Sequence, residues 1–191
     1  LPALKCAHLH LQENYRQLAQ EGLRRLARDC LLLPAEQFVD QLTANTYPHV
    51  SWSPHPLGQR QQIITEAIRF YRELAAGADA GAALARLNER IILTPLRGGP
   101  TGCETLNLMI GRGLSAADKF HGQAIMITEN APQLGLANGD TGLLWRDGED
   151  GLQAVFLIGG AVAQFSLGSL PAHEAAYAMT VHKAQGSEYG H

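Results

Sequence analysis

Long apolar runs are missing from this chain. The longest lie around Leu31–Leu33, Ile125–Ile127 and Ala154–Ile158, far short of the roughly 20 residues that cross a bilayer as a helix. Cysteine is scarce: Cys6, Cys30 and Cys103 are odd in number, far apart and without paired spacing. Neither a zinc framework nor a disulfide scaffold is expected, and a reducing, cytoplasmic setting follows. Leu1–Leu11 carries Lys5, His8 and His10 and lacks the form of a secretory leader. No methionine opens the chain, which reads as cut from something longer. Charged residues are few, at 17%, and the net charge is only -3. That balance argues against a module that grips nucleic acid by bulk neutralisation of phosphates.

What is present is a core-forming composition. The 191 residues are 46% hydrophobic, which excludes disorder, collagen and coiled coil. The 20 glycines point to many turns. Charge is uneven: residues 1–120 hold 13 Lys or Arg against 11 Asp or Glu, and residues 121–191 hold 2 against 7.

Apolar spacing predicts a helix from about Glu13 or Gln17 to Leu31, with Leu18, Leu23, Leu26 and Cys30 on its stripe. Pro34 suits the first turn of a second helix burying Phe38, Val39 and Leu42. Pro48, Pro54 and Pro56 mark an irregular connection or a short strand edge around Val50–Trp52. Gln59–Ala76 is a strong amphipathic helix, Asp79 caps a shorter one, and Ile91–Leu96 reads as a buried strand. Thr101 or Gly102 opens a helix carrying Leu106, Met109 and Ile110. From Gly122 the texture changes to short strands at Ala124–Thr128, Gly142–Trp145, Leu152–Ile158 and Ala161–Leu167. Gly159-Gly160 makes the last pair a hairpin. These strands describe a small SH3-like β-barrel inserted into an α/β domain. Ala175–Thr180 then returns to a strand.

No phosphate loop of the G-x-x-x-x-G-K-[ST] kind is present, so nothing here cradles nucleotide phosphates unassisted. His8 and His10 share strand spacing but have no third ligand nearby, and no serine sits in a nucleophile elbow. Arg16 follows Gln12-Glu13-Asn14-Tyr15 at a strand-to-helix passage, where a guanidinium is either aimed at a phosphate or paired with Glu13. The densest polar cluster is Met179–Tyr189, beyond a buried strand. Thr180 can donate to a phosphate, Lys183 can neutralise one, and Glu188 can accept from a ribose hydroxyl. Strand ends of this type are ligand sites in α/β proteins; a capped surface turn is the plainer alternative.

Thr180-Val181-His182-Lys183-Ala184-Gln185-Gly186-Ser187-Glu188-Tyr189 closely resembles motif V of superfamily 1B DNA helicases, above all the RecD family, the alpha subunits of exodeoxyribonuclease V. Leu11–Arg16 is similar to motif IV of that superfamily. Leu96-Arg97-x-Gly99-Pro100 with Leu106-Asn107, and Leu136-x-Asn138-Gly139-Asp140-x-Gly142, agree in order along the chain.

The resemblance implies a truncated second motor domain, RecA-like and called 2A, formed by residues 1–124 and 173–191. The SH3-like barrel, 2B, occupies residues 125–172. It implies that Arg16 reaches the γ-phosphate of ATP, and that Gln185, Gly186 and Glu188 lie toward the nucleotide. Thr180 and His182 face the DNA backbone, with Lys183 able to serve either side. ATP and Mg2+ belong to the full-length protein, and this fragment alone holds neither. The implied partners are single-stranded and duplex DNA, an N-terminal motor domain carrying the Walker motifs, and exodeoxyribonuclease V beta and gamma subunits. Two other readings compete: a non-enzymatic binding module, which needs a basic or aromatic stripe on the barrel, and a subunit-docking domain, which needs an exposed apolar patch.

Overall fold

The computed structural model describes residues 21–54, 56–146, 148, 151–185 and 189, and the chain divides into two units, Leu1–Pro56 and Leu57–His191. In the first unit, α1 (Glu21–Leu32) and α2 (Ala35–Thr43) follow one another across Pro34. The expected apolar stripe of α1 is not its buried side: Leu23 and Cys30 are exposed, whereas Gly22 and Asp29 are buried. The reason is local. A Cβ at Gly22 would collide with the Pro48 carbonyl, so the helix lies against the 44–50 turn. Asp29 accepts the Tyr47 hydroxyl at 3.2 Å. Burial, followed by the Asp29 charge, pushes the Tyr47 hydroxyl above its usual range. Val39, expected inside, is exposed, and Val50–Trp52 forms no strand.

The second unit starts with α3 (Pro56–Ala75), whose Ile64, Tyr71 and Leu74 repeat at helical spacing and are buried. Asp79 caps α4 (Ala80–Leu87) by accepting the Ala82 amide at 2.8 Å. β1 (Ile92–Thr94) follows, and then α5 (Cys103–Leu114), which buries Leu106 and Ile110. β2 (Gln123–Ile127), β3 (Thr141–Arg146), β4 (Leu152–Ile158), β5 (Ala161–Ser166) and β6 (His173–Ala175) make one antiparallel sheet in the order β5-β4-β3-β2-β6. β7 (Ala178–Thr180) pairs in parallel with β1, so the expected continuous strand 175–180 is split between two sheets.

The fold is therefore mixed α/β with two small sheets, and the expected SH3-like β-barrel is corrected. β5 and β6 are the two edges of the five-stranded sheet, and no pairing closes it among the described residues. Loops do the work that closure would have done. Alternation sends Ala124, Leu143, Trp145 and Val155 toward the helices. The opposite face, with Ile125, Ile127, Leu144, Ala154 and Phe156, is covered by Ala131, Leu134 and Leu136 from one connection and Leu167 and Leu170 from another. Both faces are covered without a fifth pairing to close the sheet.

One histidine shows how polar groups are spent on this architecture. The His121 ring lies 4.2 Å from Trp145, its Nδ1 accepts the Arg146 amide at 3.0 Å, and its Nε2 donates to the Ala75 carbonyl at 2.9 Å. It ties the end of α3 to β3. No helix among the described residues is long and apolar enough to cross a membrane.

Candidate functional site

The parallel pair brings two loops to one edge. In register, Thr94 of β1 stands beside Thr180 of β7, and both strands run out in the same direction. In open α/β sheets the loops leaving the carboxyl ends of parallel strands form the ligand crevice. Here those loops are 95–102 and 181–185.

The first loop is folded by its own strand end. The buried Thr94 hydroxyl donates to the Thr101 carbonyl at 2.9 Å and accepts the Leu96 amide at 3.2 Å. Gly102 is required by close approach, since a Cβ there would run into the Gly98 and Arg97 backbone. Arg97 projects beyond this turn and meets Glu104, in the first turn of α5, at 2.7 Å.

The second loop is a tight turn. The Val181 amide donates to the Thr94 carbonyl at 3.0 Å, joining the two loops at their root. The Ala184 amide closes on the Thr180 carbonyl at 3.1 Å, the Gln185 amide on the His182 carbonyl at 3.2 Å, and the Lys183 amide on the Thr180 hydroxyl oxygen at 3.3 Å. Ala184 is the turn's anchor, packed among Met126, Ala176 and Met179. With its oxygen accepting from Lys183, the Thr180 hydroxyl keeps its proton for an outside acceptor. His182, Lys183 and Gln185 are exposed.

Thr180 and Lys183 open on a groove of about 870 Å³ that runs along α5 and also takes in Arg97, Asn107, Arg112 and Glu174. His182 and Gln185 do not line it. Arg16, Gly186 and Glu188 lie outside the described residues. Cations and carboxylates balance along the groove: Arg97, Arg112 and Lys183 stand against Glu104, Asp118 and Glu174. Two of the cations are engaged, Arg97 by Glu104 and Lys183 by Glu174 at 2.6 Å. The Glu104 hydrogen bond, then the charges of Glu104 and Glu174, raise the Arg97 guanidinium above its usual range.

The residue that holds the site together was named in the family resemblance but given no role there. Asn107, on α5, donates to the Ala175 and Ala178 carbonyls at 2.9 Å each. Its oxygen accepts the Tyr177 amide at 3.0 Å and the Ala178 amide at 2.8 Å. One side chain thus saturates the backbone where the chain leaves the antiparallel sheet and enters β7. The available signal was a polar residue beside Leu106 on the face of α5 that carries Leu106 and Ile110.

The groove and its two loops can hold a chain of anionic oxygens through a hydroxyl and a few paired cations. No group of three or more His, Cys, Asp or Glu among the described residues could hold a metal ion.

No family model matches the chain. It is similar to the RecBCD enzyme subunit RecD of Mycolicibacterium smegmatis, with 32% identity over 148 residues, which is 73% of this chain and 26% of that protein. The subunit of the same name from Haemophilus influenzae is 35% identical over 121 residues, 59% of this chain and 18% of its own length. That from Mycobacterium tuberculosis is 32% identical over 136 residues, 68% and 23%. The chain spans about a quarter or less of the curated relatives it matches. Among solved structures, a Pif1 helicase from Bacteroides is 14% identical with a TM-score of 0.28, covering 71% of this chain and 41% of that one. A likeness that weak carries no argument. The similarity to RecD subunits is distant and partial, and it stands at the level of the family.

Proposed function

We propose that this chain is part of an ATP-dependent DNA helicase of the RecD kind, and that its contribution is a grip on the backbone of single-stranded DNA. The observation that carries the reading is that Thr180 and Lys183 share one groove with Arg97 and Arg112 at the carboxyl edge of a parallel strand pair. The identity with RecD subunits supports the class, and the motif resemblance supports the assignment of Thr180, His182 and Lys183 to DNA. Phosphate contacts of this type position a strand without reading its sequence.

Residues 1–124 and 173–191 form one domain of the motor in this reading, and residues 125–172 an insertion. In support, β1 and β7 share a sheet although the antiparallel strands lie between them in sequence. ATP and Mg2+ belong to the full-length protein. Of the positions assigned to the nucleotide, Gln185 alone is among the described residues, and it is exposed. DNA, a second motor domain and partner subunits of a recombination or repair complex complete the proposal. Neither the site nor the similarity supports a nuclease activity, and none is proposed.

The test is binding of a labelled oligo(dT) by the full-length protein across a salt series. Lys183→Ala should weaken binding, because a backbone phosphate loses the ammonium that pairs with it. Thr180→Ala should weaken binding with the slope unchanged, because a hydroxyl releases no counter-ion. Wild-type affinity and slope in both variants would refute the assignment.

A further inference from the structure

We propose that Glu174 competes with DNA for Lys183 and so sets how strongly, and with what salt dependence, the loop holds a phosphate. The inference rests on the reading of that loop as a DNA contact and extends it to a residue that no motif singles out.

The geometry is a short ion pair between elements of different rigidity. Glu174 is in the middle of β6, in register with Met126 of β2. The backbone just after it is held by Asn107 at Ala175 and Ala178. Its backbone is therefore fixed by the sheet. Lys183 sits on the turn after β7, and its Nζ lies 2.6 Å from Glu174 Oε1, with the two side chains 35% and 40% exposed. A half-exposed pair of this kind adds little to stability and opens readily. The Glu174 charge is also felt by Arg97, a second cation that lines the groove.

A phosphate arriving at Lys183 meets an ammonium that already has its anion. Binding exchanges a carboxylate for a phosphate, and the freed Glu174 gathers a cation from solution. The counter-ion released from DNA at that contact is balanced by the one taken up. Lys183 then adds orientation to the grip while contributing little to the salt dependence. A translocating protein needs contacts that release as easily as they form, and an internal competitor supplies that property.

The experiment is a mutant cycle in the full-length protein: wild type, Glu174→Gln, Lys183→Ala and the double variant. Each is titrated with fluorescein-labelled oligo(dT) over a sodium chloride series, with thermal melts run alongside. Glu174→Gln should bind about two- to fivefold tighter at low salt and steepen the salt slope by about 0.7. Both changes should vanish when Lys183 is alanine. If Lys183→Ala weakens binding but Glu174→Gln matches wild type, the competition is refuted while the loop reading stands. An equal gain from Glu174→Gln with and without Lys183 refutes it too, because the effect is then general charge removal. If Lys183→Ala changes nothing, the loop reading fails and takes the inference with it. Glu174→Ala removes the same charge by another side chain, and disagreement with Glu174→Gln also overturns the proposal.

Discussion

Replacing Asn107 tests whether one side chain holds the site edge in place. Its amide donates to two carbonyls and its oxygen accepts two amides, all of them on the backbone of residues 175–178. Two carbonyls on one side and two amides on the other also leave only one orientation for the amide. Each neutral hydrogen bond contributes about 0.5–1.5 kcal/mol net, and a buried group left unpaired costs more. Four such bonds would set the loss near 4 kcal/mol, but Asn107 is only half-buried and water can reach some of the vacated groups. Asn107→Ala should therefore destabilise the second unit by about 2–4 kcal/mol. Trp145, buried in β3, is the reporter: urea unfolding followed by its fluorescence reads this unit, with Trp52 replaced by phenylalanine to remove the other signal. Asn107→Asp sharpens the test. It keeps an acceptor for the Tyr177 and Ala178 amides but sets a carboxylate oxygen against the Ala175 and Ala178 carbonyls, so its loss should match or exceed that of alanine. A loss under about 1 kcal/mol for alanine, or wild-type stability for aspartate, would refute the clamp.

Other positions give outcomes of different kinds. Gly142→Ala would drive a Cβ into the Val155 carbonyl and the Phe156 ring, so it should cost about 3 kcal/mol or more in urea unfolding; a neutral effect would mean that β3 and β4 are spaced more widely than described. Tyr177 buries its hydroxyl with no hydrogen bond of good geometry, the Ala124 backbone being its nearest partner, so Tyr177→Phe should leave stability unchanged or raise it by about 1 kcal/mol, and a clear loss would show that the Ala124 contact is a working hydrogen bond. Burial pushes the Tyr71 and Tyr177 hydroxyls well above their usual range. The folded state then keeps protons that the unfolded state gives up, so this contribution is complete below about pH 10 and lost above it; tyrosinate absorbance from these two should appear only with alkaline unfolding. Arg16→Ala in the full-length protein should lower ATP turnover far more than DNA binding, and unchanged turnover would remove the role the motif resemblance gives it.

Local signals carried most of the elements. The spacing of Ile64, Ala67, Tyr71 and Leu74 marks α3, Asp79 marks the start of α4, and Gly159-Gly160, both at positive φ, mark the β4–β5 turn. Each of these depends on residues within one or two turns of each other. The failures share another cause. The buried side of α1 depends on where the 44–50 turn falls, and apolar spacing within the helix carries no record of it. The open sheet depends on the 131–136 and 167–170 connections covering a face, a choice made by loops with little periodicity of their own. The site divides the same way. Thr180 and Lys183 belong to a contiguous motif and are legible there. Asn107 meets its partners about seventy positions away, and the pairing of Glu174 with Lys183 requires that the chain change sheets between them.

The hydrogen bonding of the 180–185 turn narrows how any anion can be held. Phosphate loops work by pointing several free backbone amides at the ligand. Here the amides of Val181, Lys183, Ala184 and Gln185 are all turned inward, onto Thr94, Thr180 and His182. The side chains that the described turn offers a ligand are the Thr180 hydroxyl, the His182 ring and the Lys183 ammonium. The charge arithmetic points the same way, because the groove is balanced and residues 121–191 carry only Arg146 and Lys183 as cations against seven carboxylates. Such an edge cannot bind tightly by field strength. Under the proposed function, it would hold a strand in register through a hydroxyl and a lysine whose own carboxylate waits beside it, a contact suited to being made and broken repeatedly.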